Sequence, residues 1–598
     1  MNHTPSILWR SCAFLLMAGL LSGSAQTAFA NSPGAAGLLA VQSAYSESKP
    51  PYEVVPETFS LTLQDGTDWL PASAAGQARR VADLKESDDE TSWRYPDEQV
   101  SVQIKAVDDY LSVTITADTS LNQAFAWPIV TSDRYYLPLG EGKRVPADDP
   151  VWRDYLNERE LDVLEQLSMP FWAAEYADSA VLFILENPFR TSLHFDSDPR
   201  LAFTVNHEYP AIGETRSNRF RIYLTDNDPV AIAKTYKKYV TETSGFVTLE
   251  QKAQRNPDIR KLYGAPFIYL WGERVLEPED VNWPAFRKAA DSPVMDYLLS
   301  LDSGSESGRD FTYVLSEIKT QDYVAAYQKN VVCGHLSSLL KRDDFYDPAV
   351  LTKSNPTLDA LVGEGYEGLT SANRVKANSH ALSENLPGVF QAVGTWYDEN
   401  TVGLIEGLKQ SGIERAWIGL NSWEQAYAKP ALVEKAADEG YLIGSYDSYH
   451  SIHEPGKEQW ITAAFEDPAL YEEATVADES GKKISGFQGV GRKLNPTLSL
   501  PAVKSRMSRI MENGLPFNSW FIDCDATGEI HDDYTEQHVT GQEADLQARL
   551  ERMAYIRDTY NLVVGSEGGH DFAASTIAFA HGIELKSFSW MDPDMKEN

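Results

Sequence analysis

The sequence predicts a multidomain protein: an N-terminal β-sandwich, then a (β/α)8 TIM-type barrel that is incomplete at its C-terminal end. Three observations predict it. At 598 residues the chain exceeds one ordinary hydrophobic core. Between about residues 55 and 225, apolar and polar residues alternate with the period of a half-buried strand. After about residue 263, short apolar runs alternate with amphipathic stretches that end in glycine, as a parallel sheet with crossover helices requires.

The elements follow in order. Residues 1–30 form a signal peptide: Arg10, an apolar run from Cys12 to Leu21, and the cleavage pattern Ala28-Phe29-Ala30. The run is about half the roughly 20 residues that a membrane span needs, and no later segment is apolar enough to span. Secretion to the extracellular space is therefore expected. Residues 31–54 read as a flexible leader rich in Ser, Ala and Gly. In the sandwich segment, 55–245, Val100, Val102 and Ile104 alternate with polar residues, Asp108-Asp109 supplies a turn, and Leu111, Val113 and Ile115 alternate again. Further strands are expected at 180–186, 201–206 and 219–224. A helix should start at Asp228-Pro229, a cap followed by a first-turn proline.

The barrel segment is 263–598. Strands are expected at 267–271, 416–420, 441–446, 519–524, 562–565 and 583–588, and helices at 401–411, 430–439, 501–513, 540–560 and 573–580. Thr540 and Glu543 have capping-box spacing. This makes about six strands against eight in a closed barrel. Either strands are hidden in the irregular stretch 295–395, or the barrel end is missing.

Composition narrows the function. The net charge of -36 disfavours nucleic acid and anionic membrane surfaces as partners, and leaves neutral substrates open. Of three cysteines, only Cys333 and Cys524 follow the signal peptide, too few for a disulfide framework. No phosphate-binding or zinc-type motif is present, and no organic cofactor is required. Asp447, Glu529, Asp532 and Asp533 are a candidate calcium set, although acidic loops without an ion are commoner.

Two strand ends carry the chemistry: Ile522-Asp523-Cys524-Asp525-Ala526 and Gly565-Ser566-Glu567-Gly568-Gly569-His570-Asp571. Barrel enzymes place their active sites at the C-terminal ends of their strands. By strand parity Phe521, Asp523 and Asp525 share one face, as do Val563, Gly565 and Glu567. If those faces point inward, Asp525 and Glu567 oppose each other across the mouth. Such a pair is what glycoside hydrolysis needs: one neutral carboxyl to protonate the leaving oxygen, one charged to attack or stabilise the sugar centre. Strand-end caps are the structural alternative. Asp447, ending the third strand, is a candidate partner of a sugar hydroxyl or a turn residue. Trp271 and Trp423, at strand ends, are candidate sugar platforms. His570 and Asp571 are placed to tune Glu567 or to cap the next helix.

At these residues the sequence resembles glycoside hydrolase family 129, the α-N-acetylgalactosaminidases related to the family 101 endo-enzymes. The resemblance rests on 521–529, on 565–571, and on 577–582 with Trp590-Met591-Asp592-Pro593-Asp594. It implies a β-sandwich followed by a barrel, and a retaining mechanism with a strand-four Asp as nucleophile and Glu567 as acid/base. Asp525 is favoured as nucleophile by its Asp-x-x-Gly spacing with Gly528, with Asp523 in competition. Related chains continue past the 590–594 segment, so the barrel end and a further β-domain are expected to be missing here. An α-galactosidase with the same machinery is one alternative; a non-catalytic carbohydrate-binding surface protein is the other.

Overall fold

The structure, a computed structural model, describes residues 51–582 apart from 122, 214, 244, 271, 273, 364 and 397–401. The signal peptide, nearly all of the leader, Trp271, the strand expected at 583–588 and the Trp590 segment lie outside the described residues. None of the helices described is long and apolar enough to cross a membrane.

The N-terminal region is built from antiparallel sheets of nine, four and three strands. The predicted hairpin forms Val100–Val107 and Tyr110–Ala117, with Val107 opposite Tyr110. Its alternation buries Val100, Val102, Ile104, Leu111, Val113 and Ile115, and Asp108 adopts the left-handed conformation (φ 44°) at the turn. The nine- and four-stranded sheets share one core in which Phe59, Trp127, Trp172, Phe203 and Phe220 meet. Trp127 stacks on Phe59 at 4.4 Å and donates its Nε1–H to the Phe59 carbonyl, so the one polar atom of the indole is satisfied. The helix Pro229–Glu242 starts as its sequence dictates, with Asp228 accepting from Val230 and Ala231.

The C-terminal region is a curled half-barrel of parallel strands: β1 (Phe267–Leu270), β2 (Trp417–Leu420), β3 (Leu442–Ser448), β4 (Ser519–Ala526), β5 (Val563–Gly568) and β6 (Phe579–Ala580), adjacent in that order. Its concave face packs Trp417, Leu442, Phe521, Val563 and Phe579. The convex face packs Ile418, Ile443, Trp520, Ile522 and Val564 against helices. Glycine on the concave face makes room for these rings: a Cβ on Gly565 would lie 2.2 Å from the Phe579 ring, and one on Gly419 2.4 Å from the Trp417 ring.

Three expectations need correction. The stretch 295–395 hides no strands among its described residues; it is a helical insert between β1 and β2, including Glu306–Thr320, Ala326–Leu340 and Ser371–Asn385. The helix expected at 573–580 is replaced by a short turn and β6, because Ala578 and His581 donate to carbonyls of β5. The long helix spans Gln542–Tyr560 with Gly541 as its cap, so no Thr540–Glu543 capping box forms. Glu543 instead pairs with Arg190 of the N-terminal region at 2.8 Å. Two helices matter below: α1 (Pro496–Met511) and α2 (Gln542–Tyr560).

Candidate functional site

β4 and β5 bring Asp523 and Glu567 together. Phe521 points into the half-barrel and Ile522 out to the helices, so parity turns Asp523 inward. Glu567 follows from Val563 in the same way. Oxygens of Asp523 and Glu567 and the Cys524 sulfur lie within 4.8 Å of one another, and the two carboxyls hydrogen-bond. The Tyr446 hydroxyl, from β3, donates to Asp523 Oδ2 at 2.6 Å. The Cys524 thiol donates to the same oxygen at 3.4 Å.

Burial pushes the Asp523 carboxyl above the usual carboxylate range, against the lowering hydrogen bonds from Tyr446, Glu567 and Cys524. Burial, reinforced by the Asp523 charge, holds the Tyr446 hydroxyl protonated. The Cys524 thiol is pushed up by burial and by the neighbouring carboxylates. The result is a half-buried pair of carboxyls in which Asp523 carries the Tyr446 and Cys524 donors on one oxygen.

Asp525 is elsewhere. Parity predicted the same face as Asp523, but Cys524 takes the left-handed conformation (φ 63°), which breaks the alternation. The β4–β5 pairing shifts register between Ile522 and Ala526 at the same point. Asp525 is thereby turned outward and fully buried against α2. There Arg552 grips it in a two-pronged ion pair, Nε to Oδ2 at 2.6 Å and the terminal nitrogen to Oδ1. Asp525 and Glu567 therefore do not oppose each other across the mouth.

Asp447 is also turned away. It is fully buried on the convex side of β3, where Arg506 of α1 pairs with it at 2.8 Å and Trp520 Nε1 lies 3.4 Å away. Trp423 packs over the same Arg506 and lines a separate cavity of about 360 Å³ with Tyr427, Phe465, Lys341 and Arg509. His570 occupies the cap position of the one-turn 3-10 helix Asp571–Ala573, its carbonyl accepting from Ala573 N–H, but its side chain makes no cap bond: Nδ1 faces the Ala526 carbonyl at 2.9 Å and Nε2 the Glu165 carbonyl at 3.1 Å. Asp571 accepts from Tyr236 of the N-terminal region.

The candidate calcium set is dispersed. Asp447 pairs with Arg506, Glu529 with Lys493, Asp532 with Arg190 and Asp533 with His538. Among the described residues, the group with metal-ligand spacing is Asp523, Cys524 and Glu567.

Sequence reasoning missed Tyr446 and a polar cluster beyond β4. Lys493 bonds Glu529 at 2.5 Å and also reaches His450 Nε2, which lies 3.3 Å from Glu529. Burial raises the Glu529 carboxyl, but the neighbouring His531 and the Lys493 charge outweigh it and bring it down to about 2. Tyr446 had a signal: two residues after the inward Gly444 on β3, it shares that concave parity. The cluster had none, because its members come from segments 36 and 43 residues apart.

Asp571 gives a prediction. Burial pushes its carboxyl up to about 6, against the Tyr236 hydrogen bond. The folded protein thus keeps a proton that the unfolded chain releases at about pH 4. This contribution favours folding at low pH and is lost as pH rises from about 4 to about 6. Asp571→Asn is uncharged throughout, so its stability relative to wild type should rise across that window in thermal melts. A difference independent of pH would refute the assignment.

Residues 407–598 match the family described as glycosyl hydrolases related to GH101 family, GH129. No curated protein matches the chain by sequence. The fold is similar to α-N-acetylgalactosaminidase NagBb from Bifidobacterium bifidum. The ligand-free form has a TM-score of 0.57 at 15% identity, covering 90% of this chain and 79% of that one. Its GalNAc complex (TM-score 0.56) and Gal-NHAc-DNJ complex (0.57) show the same identity and cover 90% of this chain and 78% of theirs.

Proposed function

We propose that this chain, a glycoside hydrolase whose residues 407–598 carry the family 129 sequence, releases α-linked N-acetylgalactosamine or a related α-galacto sugar with retention of configuration. The observation that carries the reading is the short spacing of Asp523 and Glu567 on adjacent strand ends, oxygens within 4.8 Å. Carboxyls this close lack the separation of an inverting pair, about 6.5–9.5 Å to admit a water, which favours the retaining double displacement, whose carboxyls stand about 5–5.5 Å apart. The similarity in fold to an α-N-acetylgalactosaminidase supports the choice of sugar.

In this reading Asp523 is the nucleophile. Its carboxylate attacks the anomeric carbon, the bond to the leaving oxygen breaks, and Glu567 gives that oxygen its proton. The product is a glycosyl ester on Asp523. Glu567, now ionised, takes a proton from water as the water oxygen attacks the same carbon and expels Asp523. Tyr446 holds the attacking carboxylate in one orientation and, as a fixed donor, stabilises its charge once the ester has been cleaved. We further read the two-sheet N-terminal region as a β-sandwich, the half-barrel as part of a (β/α)8 barrel, and the site of action as extracellular, on the strength of the apolar leader at 12–21.

The test is a panel of α- and β-linked aryl glycosides of N-acetylgalactosamine, galactose, N-acetylglucosamine and glucose. Selective release from the α-N-acetylgalactosaminide, with the α-anomer as the first-formed sugar by NMR, is expected. A preference for the plain α-galactoside would move the substrate. First formation of the β-anomer would overturn the retaining mechanism.

A further inference from the structure

The spacing of Asp523 and Glu567 is not set by a continuous ladder. β4 and β5 are in register up to Ile522↔Ser566 and meet again at Ala526↔Gly568. Between those points lie three residues of β4 (523–525) and one of β5 (567). Both carboxyls therefore sit in a bulge, and their separation depends on how firmly the strands are rejoined beyond it.

The rejoining point is a knot around one atom. The Ala526 carbonyl accepts from the backbone N–H groups of Gly569 (3.0 Å) and His570 (3.1 Å), and His570 Nδ1 lies 2.9 Å from it. The other edge of the same imidazole faces the Glu165 carbonyl, which belongs to the N-terminal region. Glu165 lies in the one-turn helix Val163–Gln166, capped by Asp162. Two neighbouring contacts tie the same two regions. Asp571 N–H donates to the Ser168 carbonyl at 3.1 Å. Gly528 (φ +76°) packs so closely on Leu164 that a Cβ there would lie 1.8 Å from the Leu164 carbonyl oxygen.

We infer that His570 is a positioning residue: it locks the ends of β4 and β5 to each other and to the 162–168 segment, and so sets the spacing of Asp523 and Glu567. The N-terminal region is then part of the active-site frame. The inference rests on the catalytic reading of those two carboxyls. A few tenths of an ångström lost at the knot passes to a pair that must bracket one glycosidic bond.

The experiment compares His570→Ala, His570→Gln and Arg190→Ala in the full chain. Arg190 serves as the control because it joins the same two regions through Asp532 and Glu543, away from the knot. His570→Ala should lower kcat on the aryl α-N-acetylgalactosaminide at least tenfold with KM within twofold. It should also speed amide exchange at Gly569 and at position 570. His570→Gln, whose amide can still donate to one carbonyl, should recover part of the kcat. Arg190→Ala should lower the unfolding temperature without that kcat loss. A folded His570→Ala protein with kcat within twofold of wild type, or an equal kcat loss in Arg190→Ala, overturns the inference. If the wild-type chain cleaves no glycoside, the catalytic reading fails first. Unchanged amide exchange at Gly569 and at position 570 in the Ala variant would then show separately that His570 does not hold the knot.

Discussion

Replacing Glu567 with Gln, or Asp523 with Asn, is expected to abolish turnover while leaving the protein folded. Each change keeps the shape of the side chain and removes only its acid–base or nucleophilic chemistry. For Glu567→Gln the loss should be about 10²–10⁴-fold, the range over which a positioned proton donor accelerates such steps. It should be smallest on substrates whose leaving group is already a weak base, because these need protonation least. Asp523→Asn should cost at least as much on every substrate, since no leaving group replaces a nucleophile. The two variants are read by steady-state kinetics across a series of aryl leaving groups, with thermal melts as the control. Equal losses for Glu567→Gln along the series would remove Glu567 from the acid role. Near-normal turnover in Asp523→Asn would remove Asp523 as nucleophile. The raised pKa of Asp523 adds a pH signature: the carboxylate must be ionised to attack, so activity should fall on the acid side at a higher pH than an ordinary Asp would give.

The contrasting result is expected two residues on. Asp525→Asn should destabilise the fold strongly. Asp525 and Arg552 are both essentially inaccessible to solvent, and the asparagine would leave the Arg552 guanidinium buried with no counter-charge. Breaking such a pair on one side costs about 3–5 kcal/mol. Residual partners of Arg552, Ser499 Oγ at 3.1 Å and the Tyr449 ring, are neutral and do not replace the charge. Chemical denaturation should show the loss, and the double variant Asp525→Asn with Arg552→Met should recover much of it, because the stranded charge is gone. Wild-type stability in Asp525→Asn would show that the pair contributes little. Activity alone cannot separate Asp523 from Asp525, since an unfolded enzyme is also inactive; stability can.

Much of the architecture was legible in the sequence because it depends on local periodicity. The hairpin at 100–117, the capped helix after Asp228 and five of the expected strands of the half-barrel form where alternation, Pro and Gly place them. The insert between β1 and β2 was not legible. In Ala326–Leu340 the buried set Cys333, His335, Leu336, Leu339 and Leu340 spreads around the helix, so no single periodic face marks it; Glu306–Thr320 does carry one, with Phe311, Val314, Leu315 and Ile318 buried, which sequence reasoning missed. The Thr540–Glu543 capping box failed because of a distant partner. Glu543 has the spacing for a local cap, but a buried Arg190 about 350 residues earlier in the chain takes the same carboxylate.

By itself the sequence determined which strand ends carry carboxylates, and that Asp523 shares a face with Phe521 and Glu567 with Val563, because a strand alternates sides whatever surrounds it. Which acid stays at the mouth was decided by tertiary structure. A non-glycine residue, Cys524, in the left-handed conformation breaks the alternation, and nothing in its neighbours' spelling announces it. Arg552, on a helix that follows in the chain, then draws Asp525 away, and Arg506 does the same to Asp447. Carboxylates of equal promise in one dimension are sorted in three by where the buried arginines lie, since a charge taken out of water stays only where an opposite charge meets it.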